Sequence, residues 1–279
     1  MAGPPGPAPG VPRPRTAAGR AGLAALLAAP QGALIALDFD GTLSPIVADP
    51  AAARPHPGAA AALLRLAPLV GTLAVITGRP ALRAVQYGGL DRVPGIIVLG
   101  HYGRQRWQDG TLTSPPAPPG VAEARSRLPA LLAASGAPDG TWTEEKGDAV
   151  AVHTRRAADP EQALERLRAP LAALAAQTGL IAEPGRLVIE LRPPGSDKGL
   201  ALKDLAAEQD AAATLFGGDD LGDRPAFRAV RELRTAGIPG LTVCSGSAEV
   251  SGLADEADLV VDGPDGIVAL LEALAAALA

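Results

Sequence analysis

The sequence predicts an α/β protein: a doubly wound parallel sheet with helices on both faces, interrupted by an inserted α+β cap domain. Three observations carry that reading. Short apolar runs, ALIAL, TLAVIT and GIIVLG, alternate with stretches of helical spacing, the pattern of strands buried on both faces. Between residues 103 and 195 the texture changes to polar–apolar alternation broken by turn dipeptides, as antiparallel hairpins require. From Ser196 the alternation of helix and buried strand resumes.

Taken in order, residues 17–29 alternate Ala and Leu at helical spacing and form a lead-in helix. A strand over 33–38 ends in Asp38, a helix covers 57–69, and a second strand, 72–77, ends at Thr77-Gly78-Arg79-Pro80. A helix starts at 81–85 and a third strand covers 95–100. HYGRQRWQDGTLT (101–113), with its Asp-Gly turn, reads as the hairpin that opens the cap. The linker SPPAPPG leads to a helix at 121–134, and two strands follow in 141–155 around Gly147. Asp159 as N-cap with Pro160 at the first helical position starts a helix to about Gln177, and 180–193 is a further hairpin. The core then returns with a helix at 198–207, a strand at 213–217, a helix at 225–234, strands at 240–244 and 258–261, and a helix at 265–278. The expected domains are therefore a disordered tail over 1–16, a core over 17–102 and 196–279, and a cap over 103–195.

Composition narrows the function. A net charge of −5 without a basic stripe argues against a nucleic-acid partner. The single cysteine, Cys244, excludes an internal disulfide framework and fits a reducing, cytoplasmic setting. No run of 18 apolar residues free of charge and proline occurs, so a membrane span is not expected. The N-terminal MAGPPGPAPGVPRPR has no apolar signal-peptide region and cannot build a core. The expected working unit is a monomer acting on a small molecule.

Ligands of doubly wound sheets bind beyond the carboxyl ends of the strands, and three such ends here carry unusual residues. Asp38 and Asp40, two residues apart at the end of the first strand, are costly together unless a cation or a proton is shared. Asp38 has the placement of a nucleophile able to form an aspartyl-phosphate, and Asp40 that of an acid and base for the leaving oxygen and the incoming water. The competing reading makes both turn and cap residues. Thr77 and Gly78 can hold a phosphoryl oxygen, or Thr77 can simply cap the next helix. Lys198 at a helix start opposes the helix dipole; it pairs either with Asp38 and phosphate or with Asp197 and solvent. Asp219, Asp220 and Asp223 in GGDDLGD suit Mg²⁺, or form an acidic helix start. In the cap, Glu144, Glu145, Lys146, His153, Arg155, Glu190 and Arg192 are either a solvated sheet face or a set of partners for sugar hydroxyls.

With DFDGT, TGR, Lys198 and GDD in this order, the chain resembles the haloacid dehalogenase-type phosphatases. Within them it is most similar to the trehalose-6-phosphate phosphatases, through LDFDGTLSPIV (37–47), VITGRP (75–80), EEKGDAVAVHTR (144–155), VIELRPPGSDKGLAL (188–202) and GGDDLGDRPAF (217–227). The resemblance implies a Rossmann-like core and Mg²⁺-dependent hydrolysis of trehalose 6-phosphate. Asp38 is then the nucleophile, Asp40 the acid/base, Thr77 a phosphate ligand, Gly78 and Arg79 substrate-binding residues, and Lys198 the clamp on phosphate and nucleophile. It implies Mg²⁺ on Asp38, the Asp40 carbonyl and Asp219, supported by Asp220 and Asp223, with Glu144, Lys146, His153, Arg155 and Glu190 on the sugar. There are departures: Gly222 and Arg224 stand where the family's metal loop has Thr and Glu, and Tyr102 in GHYG stands where a smaller residue is usual. The chain leaves no room for a fused glycosyltransferase domain, so a stand-alone phosphatase is expected. A phosphatase for another sugar phosphate, and a silent binding protein on the same fold, are the rival readings.

Overall fold

The computed structural model describes residues 10–46, 54–116, 118–246 and 252–279. The chain divides into two compact units, residues 1–114 with 197–279, and residues 115–196.

The first unit is built on an eight-stranded sheet. Its parallel strands are β1 (Ala33–Leu37), β2 (Thr72–Ile76), β3 (Ile97–Gly100), β10 (Ala213–Gly218), β11 (Gly240–Gly246) and β12 (Leu259–Asp262); with the hairpin strands β4 (Gln105–Gln108) and β5 (Thr111–Thr113) its order is β12-β11-β10-β1-β2-β3-β4-β5. All five residues of β1 and all five of β2 are buried, which is why both read as unbroken apolar runs rather than alternating ones. Alternate residues nonetheless feed different cores. Ile35, Leu37, Val75 and Val98 join one with helices α1 (Ala17–Ala28), α2 (Ala59–Leu66), α3 (Ala81–Gly88) and α8 (Gly263–Leu278). Leu34, Ala36, Ile76 and Phe216 join the other with α6 (Lys198–Glu208) and α7 (Arg224–Thr235). The chain winds outward from β1 to β3, and later from β10 to β12, so the switch point lies between β1 and β10. The expected doubly wound core is thus present.

The hairpin β4 (Gln105–Gln108) and β5 (Thr111–Thr113) differs from expectation. It extends the first unit's sheet through antiparallel pairing of Val98 with Trp107 instead of opening the inserted unit. Trp107 is buried in the core and holds it there. The chain accordingly leaves the first unit after Ser114 and returns at Asp197.

The second unit is a four-stranded antiparallel sheet, order β6-β7-β9-β8, with two helices, α4 (Pro119–Ala134) and α5 (Pro160–Gln177). Its strands are β6 (Trp142–Glu145), β7 (Val150–His153), β8 (Ile181–Gly185) and β9 (Val188–Arg192). Asp159 caps α5 by accepting from the Gln162 N–H at 3.0 Å, as the Asp-Pro signal requires. Val150, Val152, Ile189 and Leu191 pack with Leu128, Leu167, Leu171 and Leu174 of the helices. Period 2 therefore sends Trp142, Glu144, Ala151, His153, Val188 and Glu190 to the other face.

The tail also departs from expectation. Residues 1–9 lie outside the described residues, but Val11 is buried in the core and Thr16 caps α1 through the Gly19 N–H at 2.9 Å. The Arg15 N–H donates to Asp258 O at 2.7 Å. Asp258, itself buried, accepts from the Thr16 hydroxyl, from Arg234, and from the Thr242 N–H and hydroxyl at 2.9 and 2.8 Å. Burial alone would raise its carboxyl above 3.8; the hydrogen bonds from Thr16, Thr242 and Arg234 overcome this and hold it lower. A folded value below the unfolded one means that the stabilisation is complete above pH ~4 and is lost as pH falls through the folded value. Asp258→Ala is expected to cost about 3 kcal/mol at pH 7. Thermal melts at pH 7 and pH 3 check this, since the gap between wild type and variant must narrow in acid.

Among the described residues no helix is long and apolar enough to cross a membrane.

Candidate active site

Asp38 directly follows β1, and its N–H donates to Gly217 O at 2.8 Å, which keeps the backbone in line with β10 after the strand ends. The chain then turns sharply at Gly41, where φ is +76°. A side chain there is excluded twice: by the left-handed backbone, and by the Asp219 carboxylate, which lies 2.0 Å from where a Cβ would stand. The Gly41 carbonyl accepts from the buried Ser245 hydroxyl at 2.6 Å, tying the loop to the end of β11. Asp219 follows β10, and Asp223 closes the short turn Leu221–Asp223.

Lys198 is the first residue of α6, whose N-cap is Asp197, accepting from the Leu200 N–H at 2.8 Å. Its ammonium, buried, bridges Asp38 Oδ1 and Asp223 Oδ1, both at 2.7 Å. The other Asp223 oxygen accepts from the N–H groups of Asp219 at 2.9 Å and Asp220 at 3.3 Å. Asp38, Asp219 and Asp223 each present a carboxylate oxygen within 4.8 Å of the others. One lysine thus faces three buried carboxylates.

The electrostatics follow from that imbalance. Burial lifts the Asp38 carboxyl well above 3.8, with Lys198 pulling it down and Asp223 and Asp40 adding to the rise. Asp219 is pushed up to about 10, by burial and then by Asp223 and Asp38. Burial works against the Lys198 charge, but Asp223 and Asp38 outweigh it and hold the ammonium well above 10.5. The Cys244 thiol is pushed up to about 11 by burial and by Asp219 and Asp223, so it stays protonated and inert. A cluster with this much excess negative charge fits a small divalent cation on oxygen ligands.

The carboxylates of Asp220 and Asp40 are turned to other partners. Asp220 caps the turn after it, accepting from the Gly222 N–H at 2.9 Å. Asp40 takes a two-pronged contact from Arg79, 2.6 Å from Nε and 2.5 Å from Nη2. The Arg79 guanidinium also lies 5.5 Å above each of the Phe39 and Tyr87 rings, which fixes its approach. Asp223, expected with Asp220 to support a metal, has a carboxylate oxygen in the cluster with Asp38 and Asp219. The Thr77 hydroxyl accepts from the Arg79 N–H at 3.1 Å, so Thr77, Gly78 and Arg79 form one loop beyond β2.

On the second unit's sheet, His153 Nε2 lies 2.9 Å from Glu144 Oε2, and Lys146 Nζ donates to Glu190 Oε2 at 2.7 Å. The other Glu190 oxygen is buried without a hydrogen-bond partner. Arg155 reaches the Arg186 carbonyl at 3.4 Å, in an exposed position. Sequence reasoning missed Trp142, which stacks on His153 with ring centroids 4.0 Å apart and carries the Arg156 guanidinium 5.0 Å above it. The signal was the direct cross-strand pairing of 142 with 153, invisible until the register is known.

Sheet order, an aspartate-bearing loop at the switch point and the lysine-bridged carboxylates define a haloacid dehalogenase-type hydrolase fold. The same fold occurs in a haloacid dehalogenase-like hydrolase from Bacteroides thetaiotaomicron, at 16% identity and TM-score 0.59 over 86% of this chain and 98% of that one. It occurs also in the C-terminal domain of Candida albicans trehalose-6-phosphate phosphatase, at 22% identity and TM-score 0.76 over 95% of this chain and 99% of that one. The trehalose-phosphatase family model matches residues 36–260. The trehalose-phosphate phosphatase of Mycobacterium avium (strain 104) is 38% identical over 219 residues, covering 72% of this chain and 52% of that relative. The chain belongs to the trehalose-phosphatase family. It spans about half the length of the curated relatives it matches.

Proposed function

We propose that the chain hydrolyses trehalose 6-phosphate to trehalose and inorganic phosphate, with Mg²⁺, through a phosphoryl-aspartate at Asp38. The observation that carries this is the buried Lys198 ammonium held 2.7 Å from both Asp38 and Asp223, with Asp219 alongside. Asp38 Oδ forms a bond to phosphorus as the bond from phosphorus to the sugar oxygen breaks, and Asp40 gives that oxygen a proton. A water then attacks phosphorus and gives its proton to Asp40, which frees Asp38. Lys198 draws the Asp38 carboxyl toward its ionised form and offsets charge on the transferring group, while Thr77 and Gly78 receive phosphoryl oxygens. Asp38, Asp219, Asp223 and the Asp40 carbonyl would hold Mg²⁺, which when bound neutralises the carboxylates and the phosphoryl oxygens. Arg79 anchors Asp40 between turnovers.

Glu144, Lys146, His153, Arg155 and Glu190 are proposed to recognise the sugar. The Glu190 oxygen without a partner supports this, because a buried carboxylate oxygen lacking a donor is costly until a ligand hydroxyl supplies one. Glu190→Gln is expected to raise KM for the sugar phosphate about tenfold while changing kcat less than threefold. Steady-state kinetics on a folded variant check this; a fall in kcat at constant KM would contradict a binding role. The protein is proposed to act as a cytoplasmic monomer, which light scattering tests for assembly.

The experiment for the function is phosphate release from a panel of sugar phosphates, with and without Mg²⁺. Trehalose 6-phosphate should be turned over best, and a chelator should abolish turnover. Preference by an order of magnitude for another sugar phosphate would replace the substrate, and no release from any of them would favour a silent binding protein.

A further inference from the structure

Three consecutive residues after β3, His101, Tyr102 and Gly103, have φ of 47°, 59° and 102°. Glycine adopts that region freely, but two side-chain-bearing residues in succession stay there only under restraint. The restraint comes from the loop after β2. Tyr102 N–H donates to Thr77 O and His101 N–H donates to Arg79 O, both at 3.0 Å. Thr77 N–H in turn donates to Leu99 O at 2.9 Å. The turn is therefore laced to Thr77-Gly78-Arg79 beyond the last paired residues of the two strands, Ile76 and Leu99. At the far end, Gln105 Oε1 accepts from the Ala81 N–H at 3.0 Å.

The side chain completes the lacing. A Cβ on Gly78 would lie 2.8 Å from the Tyr102 hydroxyl and 2.9 Å from its ring carbon Cζ, so the phenol fills the space of the missing side chain. From the same loop Arg79 reaches Asp40 at 2.6 and 2.5 Å. The ring thus sits on the peptide from which both Thr77 and Arg79 are aimed. Strain of this kind gathers where a site needs one geometry, and it persists only when neighbours over-determine it.

We propose that Tyr102 is the positioning residue of the phosphoryl-binding loop: the turn 101–103 is a strained clamp whose phenol on Gly78 fixes the aim of Thr77 and Arg79. This rests on the phosphatase reading above. Inorganic phosphate is the probe, titrated calorimetrically into the full chain in Mg²⁺, beside turnover of trehalose 6-phosphate. Tyr102→Asn removes the ring yet suits the left-handed backbone, so the fold is kept. It is expected to weaken phosphate binding about tenfold and to lower kcat/KM by up to about a hundredfold, and Tyr102→Phe to recover both to within about threefold. Gly78→Ala should be damaging alone and add less than about threefold in the Tyr102→Asn background, because the two changes share one contact. Phosphate binding by Tyr102→Asn equal to wild type, or fully additive effects at 78 and 102, would overturn the proposal. So would a wild-type chain that binds no phosphate. A wild type that binds phosphate but leaves trehalose 6-phosphate intact would sink the substrate reading alone, and the Tyr102 comparison would still be decided by phosphate binding.

Discussion

Asp38→Asn is expected to lower phosphate release by on the order of 10⁴-fold or more, and to raise the melting temperature of the metal-free protein. The two effects have one source. Asp38 and Asp219 are both held above their ordinary values, Asp219 at about 10, so ionising them opposes folding. For an acid with a raised folded value the fold loses stability as pH rises from the unfolded value, 3.8, toward the folded one. At pH 7 the metal-free chain lies inside that window. Replacing one carboxylate by an amide of the same shape removes a buried group that resists ionisation, while Lys198 keeps Asp223. Added Mg²⁺ should stabilise the wild type more than the variant, and more at pH 8 than at pH 6. Calorimetry with and without the metal, beside a phosphate-release assay, tests both halves. Undiminished release from the variant would remove Asp38 as nucleophile, and a lower metal-free melting temperature would contradict the charge argument.

Lys198→Ala is expected to move stability the other way. The ammonium is the one buried cation between Asp38 and Asp223 among the described residues, at 2.7 Å from each. Removing one partner from a buried charge group leaves the others uncompensated, a loss of about 3–5 kcal/mol. For a protein of this size that is a fall of roughly 10 °C in melting temperature. Mg²⁺ should restore part of the loss, since it answers the same excess charge, whereas phosphate release should stay on the order of 10³-fold below wild type. Melts of both variants side by side give opposite signs if the cluster works as described; the same sign in both would refute it.

The core of this site was legible because its signals are local. An apolar run closed by Asp-Phe-Asp-Gly shows the strand, its end and the turn in nine residues, and Asp38 and Gly41 stand where that pattern places them, while Lys198 opens its helix where the helical run starts. What escaped depends on partners far along the chain. The hairpin 105–113 alternates like any antiparallel pair, and nothing within it tells that Val98 of a parallel strand is its neighbour. The Pro- and Gly-rich composition around Val11 and Arg15 gives no hint of Asp258, some 240 residues on, which ties that segment down. Asp40 and Asp220 illustrate a third case: a motif gives the position of a carboxylate, but its orientation is set by whichever donor is nearest, Arg79 for one and the Gly222 N–H for the other.

The hairpin's attachment to the first sheet bears on how that sheet's edge is closed. Parallel strand β3, apolar and buried, would otherwise end the sheet and offer a row of open backbone groups to any passing chain. Instead the outermost strand is β5, three residues long, exposed throughout, and followed closely by Pro115 and Pro116. A margin so short and proline-stopped is a poor template for aggregation. Because the hem belongs to the first unit, the closing of that sheet's edge is independent of the inserted unit's own strands.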